Sequence, residues 1–192
     1  MINSCDDDLL PGVPFLRSPN CNNRPAGTEI DLIVLHGISV PAGRFGGRAI
    51  HELFMNTLDC SALSLLSSLQ GLQVSAHLLI DRAGEVTQFV PFEQRAWHAG
   101  ESVWTEREAC NDYSIGIELE GVDQCAYTPR QYQRLVAVVV DLMQRYPRIS
   151  PARVVGHCDV APGRKTDPGP VFNWAGFRRQ IERFQATCTG IS

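Results

Sequence analysis

The sequence predicts an α/β (α+β) fold in which a mixed central sheet is flanked by helices. Residues 30–36 and 114–119 are short apolar runs bounded by turn residues, a pattern typical of buried strands. Residues 128–146 instead repeat apolar side chains with the period of an amphipathic helix. Strands and helices interspersed in this way favour a sheet that is covered by helices.

In the N-terminal half, turn-forming residues separate short predicted elements. Residues 1–29 are rich in Pro, Asn, Asp and Gly, which indicates an irregular segment ahead of the first strand. Residues 37–47 are predicted to be a loop, and residues 48–58 a short helix. Residues 61–70 are ambiguous, because this apolar, serine-rich segment could also form a second short helix.

A hairpin is predicted next, because the turn sequence Asp81-Arg82-Ala83-Gly84 joins two strand-like runs at residues 75–80 and 85–90. Residues 91–100 then resemble a loop, which carries Trp97 and His98.

Residues 128–192 are predicted to contain two helices and one short strand. Thr128 and Pro129 have the residue types of an N-cap and a first turn, and Pro147 ends the helix that they begin. Its inner face is predicted to hold Leu135, Val138, Val139, Leu142 and Met143. Residues 154–155 are predicted to be a strand that leads to His157, and residues 173–185 a last helix.

Size and composition predict one domain over residues 1–192, with residues 1–17 as an irregular N-terminal lead-in. The chain is 44% apolar and 20% charged, as in ordinary globular proteins. Its net charge of −4 gives no electrostatic attraction to nucleic acid or to an anionic membrane. A small-molecule substrate is compatible with this charge, and a monomer is expected.

The cytoplasm is the expected location. Residues 1–8 contain three consecutive Asp and no Lys or Arg, which is the wrong charge for the start of a signal peptide. No stretch approaches the roughly 18 apolar residues that a membrane span needs. Seven cysteines, an odd number without a CxxC pair, fit reduced thiols better than a disulfide framework.

The residues that could carry chemistry concentrate in the segment 156–170, Gly-His-Cys-Asp-Val-Ala-Pro-Gly-Arg-Lys-Thr-Asp-Pro-Gly-Pro. It brings His157, Lys165 and Asp167 into one Gly/Pro-rich loop directly after a short apolar run. His36 stands at the end of another predicted strand. Two His and one Asp suit a catalytic zinc site that keeps one position open for water, so the sequence predicts a metal-dependent hydrolase.

Each of these residues alone has a structural alternative. His36 and His157 could be satisfied histidines at strand ends, Asp167 could form an Asx turn before Pro168, and Lys165 could be a surface lysine. The combination is more specific than its members, because hydrolysis at zinc needs three ligands, a base and a cation near the developing oxyanion.

Glu118 is the best candidate for the base. It lies within an apolar strand, where a carboxylate is costly to bury unless it is paired or functional. Alternation places Glu118 and Glu120 on one face, so the alternative is an outward-facing, solvated pair.

Other histidines compete less well as ligands. His77 lies mid-strand among apolar neighbours, which favours a core histidine, and His51 is predicted on a helix surface. The loop with Trp97 and His98 could face a sugar or peptide, although simple packing explains it equally well. Cys158 and His157 are unlikely to bind one metal together, because neighbouring side chains on an extended segment diverge. The motifs of serine hydrolases, P-loop NTPases and Rossmann enzymes are not found.

Several motifs together resemble the amidase_2 family of the peptidoglycan-recognition protein superfamily. The resemblance spans residues 18–180 and is most specific in two blocks, 110–121 (Cys-Asn-Asp-Tyr-Ser-Ile-Gly-Ile-Glu-Leu-Glu-Gly) and 156–170. Shorter matches are Ser18-Pro19-Asn20, Arg24-Pro25, residues 34–39, Phe45-Gly46, residues 74–77 and residues 95–100.

The resemblance implies a mixed sheet with flanking helices and one Zn²⁺ per chain, held by His36, His157 and Asp167. By the same resemblance, Glu118 is the general base and Lys165 stabilises the tetrahedral intermediate.

A muropeptide substrate is implied as well, cleaved at the amide between the lactyl group of 1,6-anhydro-N-acetylmuramic acid and L-Ala of the stem peptide. This activity belongs to peptidoglycan recycling and thereby influences β-lactamase induction. The sugar–peptide groove would be lined by Trp97, His98, Arg107 and Asn111.

The chain departs from the family pattern at three places. Gly37 stands where Asn commonly follows the first ligand histidine, residues 59–72 lack a His-Pro-Tyr-Phe-like stretch, and Glu106 replaces the usual Gly before Arg107. These departures concern substrate preference more than the reaction.

Two alternatives to a recycling amidase are a non-catalytic muropeptide-recognition module and an envelope amidase that acts on intact peptidoglycan. Recognition modules typically lose a zinc ligand, whereas this chain keeps all three. Missing signal and lipobox sequences argue against the envelope enzyme.

Overall fold

The centre of the molecule is a five-stranded mixed sheet, seen in a computed structural model that describes residues 8–61 and 63–189. The strands of the chain are β1 (Cys21–Asn23), β2 (Leu32–Ile38), β3 (Leu78–Ile80), β4 (Val86–Gln88), β5 (Gln94–Ala96), β6 (Val103–Trp104), β7 (Arg107–Glu108), β8 (Ser114–Glu120) and β9 (Val154–Gly156). The helices are α1 (Ala49–Phe54), α2 (Pro129–Arg145), α3 (His157–Val160) and α4 (Trp174–Thr189), with 3₁₀ turns at Ser64–Leu69, Cys110–Asp112 and Pro151–Arg153.

The central sheet has the order β4-β3-β8-β2-β9. β2 runs parallel to both β8 and β9, and β3 runs parallel to β8, whereas β4 pairs with β3 as an antiparallel hairpin. The predicted mixed sheet and the predicted hairpin are thereby confirmed. Two-stranded sheets pair β1 with β5 and β6 with β7.

Alternation along β2 and β8 divides the core between the two faces of the sheet. Ile33, Leu35, Ile115 and Ile117 are fully buried in the cluster that includes the inner faces of α2 and α4. The opposite face carries Leu32 and Val34, which pack in a separate cluster, and the residue that continues this face is His36. The sheet therefore presents one apolar face to helices and places polar groups at the end of the other.

Helix α2 begins and ends as its sequence predicts. Thr128 accepts a hydrogen bond from the backbone N–H of Gln131, whose side chain accepts one from Thr128 N–H, a capping box of a kind that contributes roughly 1 kcal/mol. The five residues predicted for the inner face of α2 are all buried, which confirms that face.

Several predicted boundaries differ in the structure. β2 extends two residues beyond His36, because Gly37 and Ile38 pair with Leu119 and Glu120 of β8. The first helix ends at Phe54 rather than near residue 58, since Asn56 adopts a left-handed φ of 58°. The ambiguous segment 61–70 contains a 3₁₀ turn at Ser64–Leu69.

Two segments predicted to be irregular contain regular structure. The irregular segment predicted at residues 1–29 holds β1, and the loop predicted at residues 91–100 holds β5, which pairs with β1. Neither segment alternates apolar and polar residues. Tertiary contacts therefore impose the pairing of the two strands, and no local sequence pattern predicts it. The predicted loop after residue 156 begins with the one-turn helix α3. Residues 1–7 of the predicted lead-in lie outside the described residues.

Two further observations concern the apolarity of the helices and the state of the cysteines. Among the helices of the described segments, none has the length and apolarity needed to cross a bilayer. Cys21, Cys60, Cys110, Cys125 and Cys158 are free thiols.

The prediction that His77 is a core histidine is confirmed. The ring is fully buried, its Nδ1 accepts a hydrogen bond from Gly116 N–H at 3.0 Å, and its Nε2 donates to the Gln94 carbonyl at 3.0 Å. Burial, reinforced by the positive charge of Arg24, lowers the pKa of His77 to about 3. The ring is therefore neutral in the folded protein at pH 7.

This depressed pKa makes stability depend on pH. Below the unfolded-state pKa of about 6.5, the unfolded chain binds a proton at His77 that the folded chain rejects, so the free energy of unfolding falls as pH drops from 6.5 towards the folded-state value of about 3. We expect His77→Gln to show a shallower loss of stability between about pH 7 and pH 5 than the wild type. Urea unfolding at several pH values measures both slopes, and equal slopes would contradict this assignment.

Candidate metal centre and active site

Three potential metal ligands meet at one end of the central sheet. His36 lies in β2, and His157 opens α3 directly after β9. Because β2 and β9 are parallel, with Leu35 opposite Gly156, the next residue of each strand is a histidine at the same level. Asp167 returns to this point from the loop after α3, so the two His and one Asp predicted from the sequence are brought together.

The distances among the three donor atoms suit a tetrahedral metal site. His36 Nδ1 lies 2.9 Å from His157 Nδ1 and 3.4 Å from Asp167 Oδ2, and His157 Nδ1 lies 3.0 Å from the same oxygen. Ligands at zinc bond lengths of about 2.0–2.1 Å in a tetrahedron are themselves separated by roughly 3.3 Å. The donor atoms therefore surround a point at which Zn²⁺ fits without rearrangement of the chain.

Hydrogen bonds behind the rings support the same conclusion. His157 Nε2 lies 3.1 Å from the Ala99 carbonyl, which can only accept, so in a neutral ring the hydrogen is on Nε2 and the lone pair is on Nδ1. That lone pair faces a carboxylate oxygen of Asp167 at 3.0 Å. Two acceptors at this distance need either a shared proton or a metal ion between them, and the site holds a third donor atom, from His36, as a metal site requires. Burial lowers the pKa of His36 to about 4, so the ring of this candidate ligand is neutral at pH 7.

Glu118 stands beside the donor atoms because of strand register. It is the direct neighbour of His36 across the parallel pair of β2 and β8, and neighbouring residues of parallel strands point to the same face. Only 8% of Glu118 is exposed, and its Oε2 has no hydrogen-bond partner among the described residues. Burial, together with the negative charge of Asp167, raises the pKa of Glu118 well above its usual value.

Glu120 shares this face but is used differently. Its two carboxylate oxygens accept hydrogen bonds from the backbone N–H groups of Gly46 and Arg82, and it is 4% exposed. The alternative that Glu118 and Glu120 form an outward-facing, solvated pair is therefore wrong. Glu120 ties the 41–47 loop to the sheet, whereas Glu118 faces the metal centre.

A cavity of about 290 Å³ opens over the donor atoms. Its polar end is lined by the three candidate ligands, Glu118, His98 and the side chain of Lys165. Lys165 is exposed in the loop after α3, where its backbone N–H donates to the Ala161 carbonyl. The other end of the cavity is apolar and is lined by Val40, Leu53, Leu65, Leu69 and Leu72.

Two of the departures from the family pattern touch this cavity. The 59–72 segment supplies much of its apolar end through the 3₁₀ turn at Ser64–Leu69. At Gly37 a Cβ atom would collide with the hydroxyl oxygen of Tyr127, which donates to the Pro168 carbonyl at 3.0 Å. Glycine at this position lets Tyr127 reach the loop that carries Asp167.

The four predicted substrate contacts fall into two groups. His98 lines the cavity. Trp97 donates through Nε1 to Asn22 at 2.7 Å, Arg107 stacks 3.6 Å from the centre of the Tyr113 ring, and Asn111 accepts from backbone N–H groups. These last three do not line the cavity, and their role as substrate contacts stays a prediction.

Sequence reasoning missed the groups behind the candidate ligands. The Ala99 carbonyl is a backbone group, which no residue pattern reveals. Ser114 accepts or donates at 3.2 Å from His98 Nε2; its only signal is a hydroxyl at the start of an otherwise apolar strand. Tyr127 lies in the irregular segment before α2, without a pattern that would single it out.

Comparisons with known proteins agree with this geometry. The family model described as N-acetylmuramoyl-L-alanine amidase matches residues 26–170. A relative from Escherichia coli (strain K12), the 1,6-anhydro-N-acetylmuramyl-L-alanine amidase AmpD, is 52% identical over 174 residues, which are 91% of this chain and 94% of the relative.

Solved structures extend the likeness to the fold. The crystal structure of a selenomethionine derivative of AmpD superposes with a TM-score of 0.89 at 50% identity, covering 92% of this chain and 98% of that one. The E. coli amidase AmiD, in complex with the substrate anhydro-N-acetylmuramic acid-L-Ala-D-γ-Glu-L-Lys, has a TM-score of 0.58 at 32% identity and covers 83% of this chain and 61% of its own. With its fold, sequence motifs and family match in agreement, the chain belongs to the N-acetylmuramoyl-L-alanine amidase family and is an amidase of that type.

Proposed function

We propose that this chain is a zinc-dependent amidase that hydrolyses the bond between the lactyl group of 1,6-anhydro-N-acetylmuramic acid and L-Ala of the stem peptide. The observation that carries the proposal is the buried carboxylate of Glu118 next to three converging metal donors in one cavity. The substrate is supported by the 52% identical relative with this activity in its name and by the muropeptide bound to AmiD.

His36, His157 and Asp167 would hold the metal, which when bound would supply Lewis acidity towards water and the substrate carbonyl. Two imidazoles and one carboxylate leave a fourth position open on the cavity side. The donor set thus suits a hydrolytic site better than a closed structural one.

Glu118 is placed to move the proton. Its raised pKa makes the carboxylate a stronger base than an exposed glutamate, and the same group, once protonated, can donate to the leaving amine. Oε2 has no competing hydrogen bond from the described residues that would hold it away from the cavity. Proton transfer from water to Glu118 and on to the amine nitrogen balances the hydrolysis.

Lys165 can stabilise the charge that develops on the carbonyl oxygen. Its ammonium lines the same cavity as Glu118 and is close enough to lower the pKa of that carboxyl against the effect of burial. A positive charge that faces the reacting carbonyl is worth more in the transition state than in the ground state.

The proposal includes a role in peptidoglycan recycling and, through the level of anhydro-muropeptides, an influence on β-lactamase induction. The cytoplasm is the proposed location, supported by the free thiols of the described cysteines, and a monomer is the proposed state.

We expect the purified chain to release free tripeptide from anhydro-N-acetylmuramyl-tripeptide, to lose this activity on chelation and to regain it with Zn²⁺. Mass spectrometry detects the peptide and the anhydro-sugar together, and intact peptidoglycan serves as the competing substrate. Undiminished cleavage after complete chelation would contradict the zinc dependence. Faster release from intact peptidoglycan would favour the envelope enzyme.

Glu118→Gln is expected to lower kcat by about 10²–10⁴-fold while Zn²⁺ stays bound, because the amide keeps the shape of the side chain but cannot take a proton. Steady-state kinetics and metal analysis of the same sample separate the two effects. Glu85→Gln, an exposed position outside the cavity, is the matched control. Near wild-type turnover in Glu118→Gln would exclude this residue as the base.

His157→Ala is expected to lose both the metal and the activity, because it removes one of the three proposed metal ligands. Metal analysis after gel filtration should find about one Zn²⁺ per wild-type chain and a small fraction of that in the variant. His51→Ala removes a histidine of α1 and should keep the wild-type content. Full zinc occupancy in His157→Ala would dismiss His157 as a ligand.

A further inference from the structure

The outward-facing nitrogens of both candidate histidine ligands meet two consecutive residues of one loop. His36 Nε2 lies 2.9 Å from His98 Nδ1, and His157 Nε2 lies 3.1 Å from the carbonyl oxygen of Ala99. His98 is 8% exposed and Ala99 is 1% exposed. The Nδ1 atoms on the opposite sides of both ligand rings face each other at 2.9 Å.

The carbonyl of Cys110 can only accept a hydrogen bond, and this sets the direction of each hydrogen bond behind His36. The hydroxyl of Ser114 has one hydrogen, which it donates to the Cys110 carbonyl at 2.6 Å, so its oxygen accepts from His98 Nε2–H at 3.2 Å. With its hydrogen on Nε2, the His98 ring has its lone pair on Nδ1, which lies 2.9 Å from His36 Nε2 and accepts the hydrogen of that atom. The remaining lone pair of His36 is on Nδ1, on the side of the metal centre.

We propose that His98 and Ala99 form a bracket that fixes the tautomer and the orientation of both metal ligands, with His98 as a positioning residue for His36. This inference rests on the proposed zinc dependence and deepens it. It gives His98 and Asn111 a role in building the metal centre, in place of the substrate contacts that their sequence motifs imply.

The bracket is itself held rigidly. Asn111 Oδ1 accepts hydrogen bonds from the backbone N–H groups of both His98 and Ala99, at 3.2 and 2.8 Å, so one buried amide sets the position of the two residues. Arg164 also donates to the Ala99 carbonyl, at 2.6 Å. At Gly116 a Cβ atom would collide with the ring of His98, so glycine leaves the space in which the ring lies.

The geometry distinguishes the bracket from ordinary packing of a buried histidine. His77 is also buried, but its nitrogens meet the Gly116 N–H, the Gln94 carbonyl and the Arg24 guanidinium, and none of these groups is a candidate metal ligand. His98 uses one nitrogen for Ser114 and directs the other at a ligand ring. A partner that holds a ligand histidine in this way typically contributes a factor of 10–100 to metal affinity.

Two substitutions at His98 test the role. His98→Phe keeps a flat ring but removes the acceptor, whereas His98→Asn places an amide oxygen near the position of Nδ1. We expect Zn²⁺ to bind about 10–100-fold more weakly to His98→Phe and within about threefold of wild type to His98→Asn. Competition with a chromogenic chelator measures the affinity without any use of activity, and His51→Phe is the control for loss of a histidine elsewhere.

The tautomer is read directly by ¹⁵N NMR of the zinc-loaded wild type. The expected spectrum has the His98 proton on Nε2 and the His36 proton on Nε2. A proton on Nδ1 of His98 would overturn the bracket, because His98 would then donate to His36 rather than accept from it. Should His98→Phe fail to fold, as judged by thermal melting, Ser114→Ala takes its place and should also weaken Zn²⁺ binding.

The outcomes separate this inference from the proposed function. A wild-type chain that binds no Zn²⁺ would overturn the zinc dependence itself. Wild-type binding with unchanged affinity in His98→Phe would overturn only the bracket. Weaker binding in His98→Phe that is rescued in His98→Asn would support it, because loss of ring packing alone would affect both variants.

Discussion

The site depends on the parallel pairing of β2 with β8 on one side and with β9 on the other. This pairing places Glu118 directly beside His36 and brings His157 to the same level one residue beyond Gly156. A shift of either pair by one residue would turn a functional side chain to the helix-covered face. The apolar residues that alternate with the functional ones prevent such a shift, because Leu35 and Ile117 are fully buried against the helices. Core packing and site geometry are therefore two results of one register.

The candidate metal centre lowers the stability of the fold, because it buries polar groups at the end of an apolar sheet. His36, His98 and His157 are each at most 8% exposed, and Glu118 is equally buried. Burial lowers the pKa of His36 and of His98 and raises that of Glu118, which fits the proposed roles of His36 as a ligand and of Glu118 as a base. The hydrogen bonds of the bracket offset part of the cost by satisfying the outer nitrogen of each ligand ring. Among the described residues, Oε2 of Glu118 has no hydrogen-bond partner, and this uncompensated part of the cost falls on the group proposed as the base.

The sequence was informative where local pattern and tertiary environment agree. The apolar runs at β2 and β8 and the capped amphipathic helix α2 could be predicted, and so could the grouping of His36, His157 and Asp167. β1 and β5 could not, since each becomes a strand only by pairing with the other. The bracket could not be predicted either, because it includes a backbone carbonyl and depends on side-chain directions. His77 and His98 both lie near apolar segments, and only the structure shows that His77 contacts backbone groups and Arg24 whereas His98 contacts the candidate ligand His36.

The two ends of the cavity differ in how firmly they are attached to the central sheet. This difference determines where a change of sequence is tolerated. The polar end is part of the central sheet and its immediate loops, where a displaced residue would disturb ligands on several strands. The apolar end rests on the 3₁₀ turn at Ser64–Leu69, which is anchored by the buried Leu66 while Leu65 is 68% exposed. A short segment with one buried anchor can change its sequence without disturbing the sheet. The departure from the family pattern at residues 59–72 falls on this end of the cavity, so a change of sequence there alters the apolar lining and leaves the candidate ligands and Glu118 in their positions.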